Sequence, residues 1–76
     1  SKFNEFFEKE LIKTITSLHE MYKGMKDKIT KIKLRETINV LKKQKIGKKI
    51  TDEQVSALML SYELIKEIKN VNGKNS

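Results

Sequence analysis

The chain has 76 residues, with 17 lysines and arginines against 10 aspartates and glutamates, and it contains neither cysteine nor proline. A chain of this length holds one domain at most. Without cysteine it forms no disulfide or thiolate metal site, a composition that fits a cytoplasmic protein. Its longest apolar run covers residues 57–60 and is far too short to span a membrane. The many charged residues and the absence of proline predict an almost entirely helical chain.

The first predicted helix covers residues 2–23. An apolar stripe at helical spacing consists of Phe7, Leu11, Ile15, Leu18, Tyr22 and Met25. Phe6 and Ile12 are expected to widen this stripe. Gly24 follows it, and we expect this glycine to end the helix in a left-handed conformation.

The second predicted helix covers residues 27–46 and is followed by Gly47 as a second glycine stop. At 100° per residue its apolar positions fall on two nearly opposite sides. One side carries Met25, Ile29, Ile32 and Val40, and the other carries Leu34, Ile38 and Leu41. Two interpretations remain open. The helix breaks near Lys33 into two short helices, or it is straight and its two apolar faces serve two neighbours.

The third predicted helix covers residues 52–70 and has a distinct start. Thr51 and Gln54 have the spacing of a capping box, in which each side chain bonds the backbone N–H of the other residue. Ile50 and Val55 have the spacing of a hydrophobic staple. Residues 1–71 are therefore expected to form one helical domain, and residues 72–76 a flexible tail.

The third helix is apolar on nearly every side, which is typical of a helix that is buried on every side. Two partner helices from a chain this short leave part of it uncovered. We therefore expect an all-α fold, either a three-helix bundle or a helical hairpin plus a third helix, completed by homodimerisation. The predicted dimer interface consists of Leu58, Leu60, Tyr62, Leu64, Ile38 and Leu41. The alternative is a monomer that leaves a few leucines exposed.

The positive charge is confined to the middle of the chain. Residues 1–22 and 50–76 each carry a net charge of −1, whereas residues 23–49 carry +9. Such dense like charge opposes folding unless an anion lies nearby. The predicted anion-binding residues are Lys31, Arg35, Lys42, Lys43, Lys45, Lys48 and Lys49.

Lysine-rich segments bind nucleic-acid phosphates with little sequence preference. A single arginine argues against reading of bases, and the aromatic residues lie outside the basic segment, which argues against base stacking. The sequence thus predicts a small accessory protein that contacts the backbone of duplex nucleic acid. The alternative is a helical interaction module, such as an inhibitor, adaptor, assembly factor or bacteriocin-immunity-like bundle, with an acidic partner. A merely solvated charged face also remains open.

No catalytic or cofactor-binding motif occurs in the sequence, so we expect no enzyme and no cofactor. His19 is the single histidine, and without cysteine a metal site would have to be built mostly from carboxylates. The helical pairs Glu5 with Glu8 and Glu63 with Glu67 are typical of a solvated surface. We expect neither a catalytic nor a metal site.

Overall fold

The computed structural model describes the backbone of residues 1–75 and the side chains of residues 1–71. It contains three α-helices: α1 (Lys2–Gly24), α2 (Lys28–Lys42) and α3 (Asp52–Asn75). Each helix contacts the other two, most extensively α1 with α2. The prediction of an all-helical chain is confirmed, and the described residues include no strand. None of these helices has an apolar stretch long enough to cross a bilayer.

The core lies where the three helices meet. Its buried apolar residues are Phe7, Leu11, Leu18, Leu34, Ile38, Leu41, Leu58 and Ile68. The stripe predicted for α1 therefore faces the core. Phe6 and Ile12 do not widen it, because each lies more than a quarter-turn from the centre of the stripe and is exposed.

Side chains cap the starts of all three helices. The Ser1 hydroxyl accepts a hydrogen bond from the N–H of Asn4, and the Asp27 carboxylate accepts one from the N–H of Thr30. At α3 the predicted capping box is confirmed. The N–H of Gln54 donates to Thr51 Oγ1 over 3.2 Å, and the N–H of Thr51 donates to Gln54 Oε1 over 2.9 Å. Local side-chain chemistry thus sets where α3 begins.

The predicted helix ends need correction. Neither Gly24 nor Gly47 has a positive φ, so neither is a left-handed stop. Helix α1 instead ends where Met25 turns extended, with its N–H bonded to the Tyr22 carbonyl over 3.3 Å. Helix α2 ends at Lys42, short of the predicted residue 46. Helix α3 continues to Asn75 rather than ending at residue 70. Ser76 and the side chains of residues 72–76, where a flexible tail is predicted, lie outside what is described.

Helix α2 is continuous through Lys33, so the interpretation with a break is wrong. Its two apolar sides differ in burial. Leu34, Ile38 and Leu41 are buried in the core, whereas Ile29 is 69% exposed and Val40 49% exposed. The helix is straight, as the second interpretation has it, but the described chain covers just one of its apolar faces, so the second neighbour stays a prediction.

Half of the predicted dimer interface also needs correction. Ile38, Leu41 and Leu58 are buried in the core of their own chain, so a second copy has no access to them while this fold persists. Leu64 is half-buried. Leu60 is 70% exposed and Tyr62 is 40% exposed, and both are accessible to a partner. Much of the apolar surface of α3 for which the sequence indicates no partner is buried against α1 and α2 of the same chain.

Candidate functional site

A row of four cations and one asparagine runs along one side of α2. Lys28, Lys31, Arg35, Asn39 and Lys42 follow one another at helical spacing and fall within an arc of about 80°. We call this row the basic stripe. At 1.5 Å per residue it is about 21 Å long. It lies beside the buried row of Leu34, Ile38 and Leu41, along the edge of α2 that meets α1.

Tyr22 of α1 lies at the centre of the basic stripe. A guanidinium nitrogen of Arg35 donates a hydrogen bond to its hydroxyl. The Lys31 ammonium lies 4.7 Å from the ring centroid and the Arg35 guanidinium 5.4 Å from it, both within cation–π distance. The His19 ring meets Tyr22 edge-on, with the centroids 6.3 Å apart. One aromatic ring thus fixes the two central cations of the stripe.

Two shallow hollows lie on either side of this tyrosine. One is lined by His19, Tyr22, Arg35, Ile38, Asn39 and Lys42. The other is lined by Tyr22, Lys28, Lys31, Ile32 and Arg35. Because Tyr22 and Arg35 line both hollows, the stripe forms one continuous surface from Lys28 to Lys42.

The cations change the acidity of the tyrosine. The hydrogen bond from Arg35 lowers the pKa of the Tyr22 hydroxyl below its usual value. Desolvation opposes this shift, and the charges of Arg35 and Lys31 add to it. The hydroxyl accepts from Arg35 and therefore keeps its own proton to donate. A phenol with a lowered pKa is a better donor to an anion, and Arg35 keeps further N–H groups for the same anion.

No carboxylate of the described residues, Glu36 of α2 included, forms an ion pair with the stripe. The one ion pair in this part of the chain joins Lys23 to Glu20 over 3.4 Å. Asp27, one of the two acidic residues of the 23–49 segment, is engaged in capping α2. The Thr30 hydroxyl and, to a lesser extent, the Thr30 N–H lower the pKa of its carboxyl. The positive charge of the stripe is thus available to an external anion.

The loop after α2 carries four further lysines, Lys43, Lys45, Lys48 and Lys49, all exposed. We call residues 43–49 the lysine loop. Its backbone is held by side chains from the starts of the other two helices. The Gln54 amide donates to the Lys45 carbonyl over 2.8 Å, and the Asn4 amide donates to the Lys48 carbonyl over 3.2 Å. These bonds fix the backbone that carries the lysines next to the end of the stripe.

The predicted anion-binding residues divide between these two features. Lys31, Arg35 and Lys42 lie together on the basic stripe, and the other four lie on the lysine loop. The sequence reasoning missed Lys28 and Asn39, although the helical spacing of α2 is sufficient to place them on the stripe.

It also missed His19 and Tyr22, because these residues come from another helix and reach the stripe through packing. Tyr22 lies outside the basic segment in the sequence, but packing brings it into contact with Arg35.

The geometry of the stripe, with its exposed cations and shallow hollows, suits an extended anion better than a small enclosed ligand. No protein-family model, curated protein or solved structure matches this chain, so its function has to be argued from the surface itself.

Proposed function

We propose that this protein binds the phosphate backbone of nucleic acid through the basic stripe and the lysine loop. The observation that carries the proposal is the alignment of Lys28, Lys31, Arg35 and Lys42 along one edge of α2, with no carboxylate of the described residues paired to them. A row of unpaired cations is unfavourable in isolation and is stabilised by a row of anions.

The dimensions of the stripe match a polymer of phosphates. A strand of duplex DNA presents one phosphate for about every 3.4 Å of helix axis, so a stripe of about 21 Å spans roughly six of them. Lysine ammonium groups act as point charges and carry no information about base sequence. Arg35 is the side chain best suited to reading a base edge, but it is already hydrogen-bonded to Tyr22. The protein is therefore expected to bind nucleic acid with little preference for base sequence.

A gel-shift titration at several salt concentrations, on mixed duplex and single-stranded DNA and RNA, tests this proposal. Changing Lys28, Lys31 and Lys42 together to glutamine should weaken binding equally for all sequences. It should reduce the slope of log affinity against log salt by roughly 0.9 for each phosphate that is no longer neutralised, or close to 3 for the three lysines together. The matched control changes Lys9, Lys13 and Lys66, which are exposed on the outer faces of α1 and α3, and should leave the slope nearly unchanged.

The lysine loop is tested separately by changing Lys43, Lys45, Lys48 and Lys49 to glutamine. If all four contact phosphates, the slope falls by roughly 3.6. Folding should be unharmed, because these side chains are exposed and the bonds that hold the loop are made by its backbone carbonyls. If the wild-type protein shows no salt-sensitive binding to any nucleic acid, the proposal fails, and an acidic protein partner becomes the explanation for the stripe.

We further propose that the chain forms a homodimer. The support is the number of large apolar side chains left exposed on its surface, among them Ile29, Ile32, Val40, Met59 and Leu60. Soluble monomers rarely keep a large contiguous apolar patch uncovered. Sedimentation equilibrium at micromolar concentration should show twice the mass of one chain, and a monomer would contradict the proposal.

A further inference from the structure

Val40 of α2 and Leu60 of α3 are exposed apolar residues on the side of the molecule where these two helices meet, which we call the α2–α3 face. Val40 and Leu60 line the same hollow near the start of α3, together with Asp52 and Glu53. Near the other end of the face, Lys33 and Glu67 line a second hollow of about 380 Å³ with Leu64 and Val71. The two helices therefore run antiparallel, with Val40 and Leu60 in one hollow and Lys33 and Glu67 in the other.

We infer that the α2–α3 face is the surface on which a second copy of this chain docks, with α2 of each copy lying antiparallel over α3 of the other. This inference specifies the surface of the proposed homodimer and does not rest on nucleic-acid binding. The interface then no longer includes the buried residues Ile38, Leu41 and Leu58. It consists of exposed residues that a partner can reach.

Symmetry restricts how two such faces meet. A two-fold axis parallel to the helices keeps every residue at its own level and exchanges α2 with α3 across the interface. Val40 then lies over the partner's Leu60, and Lys33 over the partner's Glu67. Because a two-fold contact is isologous, each of these pairings occurs twice.

The charges on the face favour this arrangement. The exposed acidic residues of α3 are Asp52, Glu53, Glu63 and Glu67, whereas the exposed charged residues of α2 on this side are Lys33 and Glu36. A two-fold axis perpendicular to the helices would instead place α3 over α3 and oppose the acidic residues of one copy to those of the other, which is repulsive.

Lys33 and Glu67 line one hollow, yet they form no ion pair within their own chain, since the described residues contain just the Lys23–Glu20 pair. Both charges are therefore available to a second copy.

The face has an apolar interior with charged groups around it, which is the usual anatomy of an interface. The basic stripe lies on the other edge of α2, against α1, and stays exposed in such a dimer.

The first test is the dimer dissociation constant of wild type, Leu60→Glu and Val40→Glu, measured by sedimentation equilibrium. Each glutamate replaces an exposed side chain, so the monomer should fold, which circular dichroism verifies. We expect dissociation to be favoured roughly tenfold or more, because the symmetric interface then contains two unpaired charges. The matched control is Ile12→Glu, since Ile12 is equally exposed but lies on α1, and it should leave the dissociation constant unchanged.

The second test reports the arrangement of the helices. The chain has no cysteine, so Val40→Cys and Leu60→Cys each carry a single thiol. Oxidising a mixture of the two variants should cross-link unlike chains, because a disulfide needs Cα atoms less than about 7 Å apart. Efficient cross-linking of Val40→Cys to itself would place α2 over α2 and would overturn the inference.

The outcomes separate this inference from the other proposals. A monomeric wild type overturns both the dimer and its surface. If, in addition, a synthetic basic amphipathic helical peptide shifts the NMR signals of Val40 and Leu60, the face belongs to another helical partner. A dimer that Leu60→Glu and Val40→Glu leave intact overturns the surface alone. The salt-dependent slope of nucleic-acid binding, measured on Leu60→Glu, reports independently on the basic stripe and should stay as in wild type.

Discussion

The two edges of α2 differ in how far the chain completes them. Along the α1 edge, Tyr22 approaches Lys31 and Arg35, and its hydroxyl accepts a hydrogen bond from Arg35. Along the α3 edge, Val40 and Leu60 line an open hollow and remain exposed. On the α1 edge the cations are ordered, but no carboxylate of the described residues is paired to them. On the α3 edge the apolar residues are aligned, but no other part of the described chain covers them.

In the functions proposed above, the two edges serve different partners. Ordered cations that lack carboxylates suit a polyanion and carry little apolar surface to bury. Aligned apolar residues with both signs of charge around them suit another folded protein. A single helix can therefore carry two separate surfaces, and substitutions on one edge should leave the other functional.

The largest expected effect comes from the side of α2 that faces the core. Leu34 is fully buried, so Leu34→Ala should lower the free energy of unfolding by about 2–5 kcal/mol through reduced burial and the cavity it leaves. Ile32 is two residues away on the exposed side of the helix. The change Ile32→Ala should alter the free energy of unfolding by no more than about 0.5 kcal/mol. Urea denaturation of both variants at low protein concentration measures the difference. Equal losses of stability would mean that a second neighbour covers Ile32 even in dilute solution.

Features of the fold that depend on nearby residues were predictable from the sequence. The stripe of Phe7, Leu11 and Leu18 follows from helical spacing, and the capping box of Thr51 and Gln54 follows from side-chain chemistry three residues apart. Local reasoning failed at the end of α2. There the backbone leaves the helix in a segment whose carbonyls bond Gln54 and Asn4, which are distant in sequence.

In the candidate site, too, the features that depend on nearby residues were predictable and those that depend on packing were not. The concentration of lysine and arginine in the 23–49 segment is visible in the composition, and the positions of Lys28 and Asn39 on the stripe follow from spacing. The contact between Tyr22 and Arg35 joins two helices and requires the packed structure. Similarly, the sequence shows that α2 has two apolar sides but not which of them faces the core. The structure answers this question, because Leu34 is buried and Ile29 is exposed.

An intermediate effect is expected where the lysine loop meets α3. Thr51→Ala removes the hydroxyl that accepts from the Gln54 N–H and should lower the free energy of unfolding by about 1 kcal/mol. Gln54→Ala should lower it further, because that buried amide also bonds the Thr51 N–H and the Lys45 carbonyl. Thermal melts of the two variants give the order. If Gln54→Ala proved the milder change, the bond to Lys45 would contribute nothing to holding the loop.

A smaller effect depends on pH and concerns the start of α2. The bonds from Thr30 lower the pKa of the Asp27 carboxyl in the folded state. The resulting stabilisation is therefore fully present above the ordinary aspartate pKa of about 3.9 and is lost as the pH falls through the lower folded value. Asp27→Asn keeps a capping side chain but removes the titrating group. Its unfolding free energy, measured by urea denaturation across this acidic range, should depend less on pH than that of wild type.

The smallest effect on stability, and the most specific to the α1 edge, is the titration of Tyr22. Its pKa is lowered, so the folded state favours tyrosinate. The added stability therefore appears only as the pH rises through the folded pKa towards the ordinary value of about 10, and it is absent at neutral pH. Ultraviolet difference absorbance follows phenol ionisation, and the step that disappears in Tyr22→Phe belongs to this residue. Arg35→Gln should move that step to higher pH, because it removes the hydrogen bond and the nearest charge. A step unchanged in Arg35→Gln would contradict the contact that organises the stripe.

Over the same rise in pH, the nucleic-acid affinity of wild type should weaken more than that of Tyr22→Phe, because tyrosinate repels phosphate and neutralises Arg35, whereas all other titrating groups are common to both proteins. A comparable difference between the two proteins in the pH dependence of the dimer dissociation constant would mean that the two edges of α2 are coupled.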